Sequence, residues 1–559
     1  MTPEQLSDAF VAALADLVAE GAITLPDGVP STVLVERPSV KEHGDYATNV
    51  ALQLGKKAGL NPREFAALLA NRLAGRDDIT SVEVAGPGFL NVRIGAAAQG
   101  VLAAEIVRAG ASYGTNDASA GHRINLEFIS ANPTGPLHLG HTRWAAVGDA
   151  LARVLRASGA EVSTEFYIND RGTQMDKFGE SLMARASGEQ PPEDGYHGQY
   201  VTALAARVVE RNPGVLGLPT NEQVAVFREA GYALQLAEHQ AELEEFRTHF
   251  DVWFSERSLH GDTGGVAGAV EHGFDRLREQ GHLYESDGAT WMRTTDFNDD
   301  KDRVLVKADG ELTYFASDTA YYVNKRERGF DRCIYLLGAD HHGYVGRLQA
   351  MAACVGDTPG EHLEVLIGQL VKIMQNGEEL KLSKRAGTIV SLRELVDLIG
   401  VDPLRYTLGR YPVDSPLTLD VAEMTSKSND NPVYYVQYAH ARMSSILRNA
   451  ADLGISIDVD AFDAAELAAE QEGDLLRALA EFPRVVARAA ELREPHRVAS
   501  YLEATSAAFT QFYEVCRVLP QGDEAVAPVH RARLVLLAAT RQVIANGLGL
   551  LGVSAPERM

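Results

Sequence analysis

Asn132-Pro133-Thr134-Gly135-Pro136-Leu137-His138-Leu139-Gly140-His141 sets a loop punctuated by Gly and Pro, and carrying two imidazoles, between an expected strand and an expected helix. Upstream, Ile124, Leu126 and Phe128 alternate with Asn125, Glu127 and Ile129, a period of two that predicts a strand ending near Ser130. Downstream, Trp144, Val147, Leu151, Val154 and Leu155 recur at helical spacing, and Gly159 suits a left-handed cap at the helix end. The loop therefore faces the positive end of a helix dipole, where backbone amides suit phosphate oxygens. Gly140 lets a base or ribose lie against the backbone, and His138 and His141 can donate hydrogen bonds as charge shifts during a transfer.

With 559 residues, 45% of them hydrophobic, the chain can build several domains with sizeable cores. No apolar run of about 18 residues occurs. The first ten residues lack a cationic start, so neither a membrane span nor a signal peptide is expected and the cytoplasm is the expected compartment. Cys333, Cys354 and Cys516 form no CxxC pair, which favours buried thiols over a disulfide scaffold or a thiolate zinc site. No structural metal is expected; the adjacent His341 and His342 lack a supporting ligand set. The net charge of −25 opposes a nucleic-acid partner at first sight. Its distribution matters more: residues 431–559 hold 12 arginines, no lysine and 16 acids, and eight of those acids fall within 452–474, so the remainder leaves room for a local basic face.

Residues 1–115 read as a small α+β domain. Leu6, Phe10, Leu14, Leu17 and Val18 share one helical face, 32–35 reads as a strand, Pro62–Leu73 as a helix with proline in its first turn, and two short strands flank Gly86-Pro87-Gly88. Residues 110–121, rich in Gly, Ser and Ala, mark a boundary. Residues 120–418 alternate strands and helices as a doubly wound parallel sheet does, with one polar, helix-rich insertion over about 179–289. Residues 419–559 are almost wholly helical in pattern, with Phe482, Val485, Val486 and Ala489 on one face and a long apolar stretch over 534–551. The fold class is multidomain α/β: an N-terminal α+β domain, a Rossmann-like doubly wound domain with an insertion, and a C-terminal all-α bundle.

A second motif lies far downstream. Residues 363–374 read as an apolar strand, Asn376-Gly377 as a type I′ turn, and 380–383 as the return. Lys381-Leu382-Ser383-Lys384-Arg385-Ala386-Gly387-Thr388 follows, and Ser391-Leu392-Arg393-Glu394 forms a capping box opening the next helix. The histidine and lysine motifs together resemble the HIGH and KMSKS signatures of class I aminoacyl-tRNA synthetases; Lys381, Ser383 and Lys384 match the second, while Leu382 and Arg385 depart from it.

Further segments are similar to the arginyl-tRNA synthetase family. They are Glu127-Phe128-Ile129-Ser130-Ala131-Asn132, Gly44-Asp45-Tyr46-Ala47-Thr48-Asn49, Gly86-Pro87-Gly88-Phe89, Tyr314-Phe315-Ala316-Ser317-Asp318, Gly338-Ala339-Asp340-His341-His342-Gly343 and Asp402-Pro403-Leu404-Arg405-Tyr406. The last stands where the family usually has Asp-Ala-Leu-Arg, and proline after an aspartate N-cap is sterically acceptable. The resemblance implies ATP with Mg2+ as substrate, L-arginine and tRNA(Arg) as partners, and charging of that tRNA by way of arginyl-adenylate. It implies that His138, His141, Lys381 and Lys384 serve the chemistry, with Pro133, Thr134, Gly135, Gly140 and Ser383 beside them around ATP. Glu127, Ser130, Asn132, Tyr314, Asp318 and His341 would surround arginine. Tyr46 and Asn49 in the first domain, and Tyr434, Gln437, Tyr438 and Met559 in the last, would meet tRNA.

The residue types suit a guanidinium, which needs planar, charge-assisted acceptors, and Tyr314 and Asp318, four apart, share a face on a helix. A monomer with no membrane association is expected. Two other readings stay open: a small-molecule adenylyltransferase on the same fold, and a tRNA-binding paralogue without catalysis.

Overall fold

The computed structural model describes residues 1–38, 40–260, 268–379 and 390–559. The N-terminal helix Pro3–Ala19 starts at a capping box in which the Thr2 and Gln5 side chains each bond the other's backbone amide, and it buries Leu6, Phe10, Leu14 and Leu17. These pack on a three-stranded antiparallel sheet of Tyr46–Thr48, Phe89–Ile94 and Ile79–Ala85, with Phe89–Ile94 in the middle. The strand expected over 32–35 does not form. Val33 and Val35 are buried, but the Val33 amide donates to Ser7 Oγ and the segment pairs only through a single bridge between Glu36 and Ala47. A side-chain partner replaces the ladder there.

The central sheet has five parallel strands in the order Leu363–Gly368, Arg332–Gly338, Arg123–Glu127, Glu161–Ile168, Val252–Ser255. The chain enters at Arg123–Glu127, winds to one side, then returns to the other. The crevice between Arg123–Glu127 and Arg332–Gly338 is thus the topological switch point, where α/β sheets bind ligands beyond their carboxyl ends. Helix Leu139–Ala157 crosses the sheet closely at Gly148, where a Cβ would come within 2.4 Å of the Phe128 ring.

The insertion expected over 179–289 is divided. Helices Thr173–Ala186, Gln199–Arg211 and Thr220–Glu245 precede Val252–Ser255, which belongs to the central sheet. Helix Ala269–Glu279 and an antiparallel sheet of Leu283–Ser286, Ala289–Met292 and Arg303–Val306 follow it. A four-residue edge strand carries too short an apolar run to stand out between polar helices. The strand expected over 363–374 is likewise broken: Val371–Gln375 leaves the parallel sheet to pair with Leu417–Asp420 and, across Asn376-Gly377, with Glu378–Glu379. Both turn residues have positive φ, as a type I′ turn requires. The expected return at 380–383 and the lysine motif lie outside the described residues.

Helices Pro432–Asp452, Glu470–Ala480, Phe482–Leu492, His496–Val515 and Pro528–Leu550 form the C-terminal bundle. Its core is continuous with one face of the central sheet, since Leu126, Phe128 and Leu151 belong to the same buried cluster as Leu475, Val486 and Leu537. Among the described residues, no helix is long and apolar enough to cross a membrane.

Candidate active site

His138 is the N-cap of helix Leu139–Ala157. Its Nδ1 accepts from the Gly140 amide at 3.2 Å, while its own amide donates to His141 Nδ1 at 3.2 Å, and the two rings stack with centroids 3.8 Å apart. Because each Nδ1 accepts, a neutral ring carries its proton on Nε2. The imidazoles thus replace the usual Ser/Glu capping box and are held by the helix start itself.

The loop before them is braced from the insertion. Tyr200 Oη donates to the Thr134 carbonyl at 3.0 Å, and His239 Nε2 donates to the Gly135 carbonyl at 2.8 Å. Burial pushes His239 down to about 4, so it acts as a neutral donor. Pro133 and Thr134 are buried and Gly140 is exposed. His138 also pairs with Ser391 through a β-bridge, and the Leu392 amide donates to the Leu137 carbonyl at 2.8 Å. The residues just after the lysine motif are thereby stitched to the histidine motif. Lys381, Ser383 and Lys384 themselves lie outside the described residues. Ser391 and Glu394 form the capping box read from the sequence.

Strand Arg123–Glu127 ends three residues earlier than expected, because Ile129 and Ser130 both take positive φ, 69° and 46°. That conformation is costly for a β-branched residue, and nothing in the sequence announces it. It folds Ser130 back so that its Oγ donates to Glu127 Oε1 at 2.9 Å and accepts from the Tyr167 amide at 3.1 Å.

Glu127 opens onto a cavity of about 600 Å³ that is also lined by Tyr314, Asp318, His341, Tyr344 and Arg347. Tyr314 and Asp318 sit on the first two turns of helix Tyr314–Glu327, on one face as their spacing predicts. Burial, reinforced by the charge of Glu127, pushes Asp318 up to about 6, against the pull of the Tyr344 hydroxyl, which donates to it, and of Arg347. Asn132 is exposed and donates to Gln174 Oε1 at 3.0 Å instead of lining this cavity. Tyr344, Arg347, Tyr200 and His239 escaped the sequence reading. For Tyr344 the signal was its place one residue past the Gly338–Gly343 segment; the braces from the insertion had none.

The residues expected to meet tRNA divide. Tyr434 and Tyr438 stack with ring centroids 6.0 Å apart, Tyr438 is 40% exposed and Met559 57% exposed. Asn49 is half-buried and accepts from Gln53 Nε2. Tyr46 is a correction: it is 1% exposed in the N-terminal core, because it sits on a strand whose inner face packs on the first helix. Gln437 is another. It is buried and donates to Asp402 Oδ2 and the Ser554 carbonyl, each at 2.9 Å, so its amide serves the domain junction.

Three sequence profiles match: the arginyl tRNA synthetase N-terminal domain over residues 4–94, the class I (R) tRNA synthetase catalytic domain over 232–400, and the DALR anticodon binding domain over 436–559. The arginine–tRNA ligase of Kineococcus radiotolerans is 57% identical, with all of both chains covered. The chain belongs to the arginyl-tRNA synthetases. Among solved structures, the arginyl-tRNA synthetase of Thermus thermophilus superposes with a TM-score of 0.74 over the whole of both chains at 23% identity. A putative arginyl-tRNA synthetase from Campylobacter jejuni gives 0.75 at 29% identity, covering 83% of this chain and all of that one. The synthetase is an arginine–tRNA ligase with a class I catalytic domain; ATP, arginine and tRNA are its partners.

Proposed function

We propose that this ligase receives arginine in the 600 Å³ cavity, with Glu127, Tyr314 and Asp318 as acceptors for the guanidinium and His341 at its wall. Two carboxylates from separate elements, a strand end and a helix start, converge on one cavity beside the strand that runs into the histidine loop, and that convergence carries the reading. ATP, entering with Mg2+ as part of the substrate, lies over Pro133, Thr134, Gly135 and Gly140. His138 and His141 face its phosphates, and the motif resemblance assigns Lys381, Ser383 and Lys384, outside the described residues, to the same phosphates. The arginine carboxylate oxygen attacks the α-phosphorus and pyrophosphate leaves; positioning and cationic stabilisation of the charge on the phosphoryl oxygens supply most of the rate. A ribose hydroxyl at the tRNA 3′ end then attacks the arginyl carbonyl, and AMP leaves.

Tyr438 and Met559 offer exposed surface for unstacked bases, with the half-buried Tyr434 stacked behind Tyr438, and the half-buried Asn49 is the candidate contact to the D-loop. The domains proposed are 1–115, 120–418 and 419–559, the strand Leu417–Asp420 moving the last boundary a few residues on. A monomer remains the expected state, and three unpaired, buried cysteines suit the reducing cytoplasm. The test is arginine-dependent charging by Glu127→Gln: its arginine KM should rise about 100-fold with ATP KM little changed. An arginine KM equal to wild type would remove Glu127 from recognition.

A further inference from the structure

A cation lies beneath the arginine cavity. Lys325 is two turns along the helix from Asp318, its side chain is fully buried, and its Nζ donates to Glu127 Oε2 at 2.5 Å. The ammonium sits over the rings of Tyr321 and Tyr335, 4.2 and 4.1 Å from their centroids. The nearby buried carboxylate Glu165 has donors of its own: Asn125 Nδ2 at 2.9 Å, Tyr321 Oη at 2.6 Å and Arg328 Nη2 at 2.9 Å. The Lys325 ammonium, by contrast, donates to Glu127.

Two aromatic faces thus fix the ammonium, and the ammonium fixes the carboxylate. Ser130 Oγ holds the other Glu127 oxygen. A carboxylate has about four acceptor positions, so one bond at each oxygen leaves capacity for an incoming donor pair. Glu127 lines the cavity with its side chain 12% exposed, which leaves that capacity accessible from the cavity alone. Without Lys325, Glu127 would stand beside Asp318 and Glu165 with no buried counter-charge, a state that a low-dielectric site opposes.

We propose that Lys325 is a positioning residue for arginine recognition: it holds the Glu127 carboxylate oriented to receive the substrate guanidinium. The proposal rests on the reading of Glu127 as a guanidinium acceptor, and Lys325 itself touches no reacting atom. The experiment is steady-state charging kinetics of the full-length enzyme, with arginine and ATP varied separately, for Lys325→Met, Lys325→Arg, Glu127→Gln and the double variant Lys325→Met/Glu127→Gln. Lys325→Met should raise arginine KM about 10- to 100-fold while kcat and ATP KM stay within about threefold, and Lys325→Arg should recover most of the loss. In the Glu127→Gln background, Lys325→Met should add less than about threefold, because its route is already gone.

An unchanged arginine KM in Lys325→Met, a fall in kcat alone, or full additivity in the double variant overturns the proposal. An unchanged arginine KM in Glu127→Gln overturns the guanidinium reading instead. If Lys325→Met does not fold, as thermal unfolding would reveal, Lys325→Gln takes its place in every comparison and the same outcomes decide.

Discussion

Two buried ion pairs in this enzyme resemble each other in composition and differ in how completely they are closed. At the junction of the catalytic domain and the helical bundle, Arg405 is fully buried and donates to Asp149, to the carbonyls of Leu551 and Phe246, and to Thr248 Oγ1. Asp149 also receives Arg153 Nε at 2.7 Å. At the cavity, Lys325 is equally buried, yet its partner Glu127 has a side towards open space. A charge enclosed by donors and acceptors on all sides ties segments together: here the histidine-motif helix, the end of the insertion and the C-terminal residues. A charge enclosed on all sides but one is prepared for a ligand.

The comparison breaks most readily at the closed pair. Arg405→Met leaves Asp149 buried without its main partner and should cost about 3–5 kcal/mol of stability, read from urea unfolding. Arginine KM of the folded fraction should hardly move, and a large rise in it would blur the distinction between the two pairs. The open pair should behave conversely, with Glu127→Gln showing the large rise in arginine KM described above and an unfolding midpoint close to wild type.

Asp318 sharpens the contrast through pH. Its carboxyl is raised to about 6 and, in the proposed role, would accept a guanidinium as a charged partner only when ionised, so arginine affinity should fall as pH drops through about 6 and level off above it. Tyr344, Glu127, Arg347 and His341 also face this cavity, so the control is Asp318→Asn, which should bind weakly with the step near pH 6 removed. Isothermal titration of arginine across this range decides; a flat wild-type profile would detach Asp318 from binding. The smallest effect belongs to Ser130→Ala, which removes one neutral donor from Glu127 and should raise arginine KM by about 3- to 10-fold. No change there would leave Lys325 as the sole restraint on the carboxylate.

What was legible in the sequence was local. Phe482 to Ala489 on a helical face, the Ser391/Glu394 capping box, the Asn376-Gly377 turn and the strand-loop-helix around His138 each depend on neighbours within a few residues, and the structure has all four. Glu127, Tyr314, Asp318 and His341 were legible as a set only through family resemblance, since 214 residues separate the first from the last and no spacing rule spans that gap.

The sequence by itself determined the strand-loop-helix around His138, the three-part organisation and the kinship to arginyl-tRNA synthetases, because backbone preference and motif chemistry are written in short stretches. Tertiary structure alone decided that Tyr46 and Gln437 turn inward, that Val252–Ser255 joins the central sheet and that Lys325 meets Glu127 across 198 residues of chain. Burial and ion pairing are properties of the packed whole: a side chain's solvation and its partners are set by which distant segments come to lie against it.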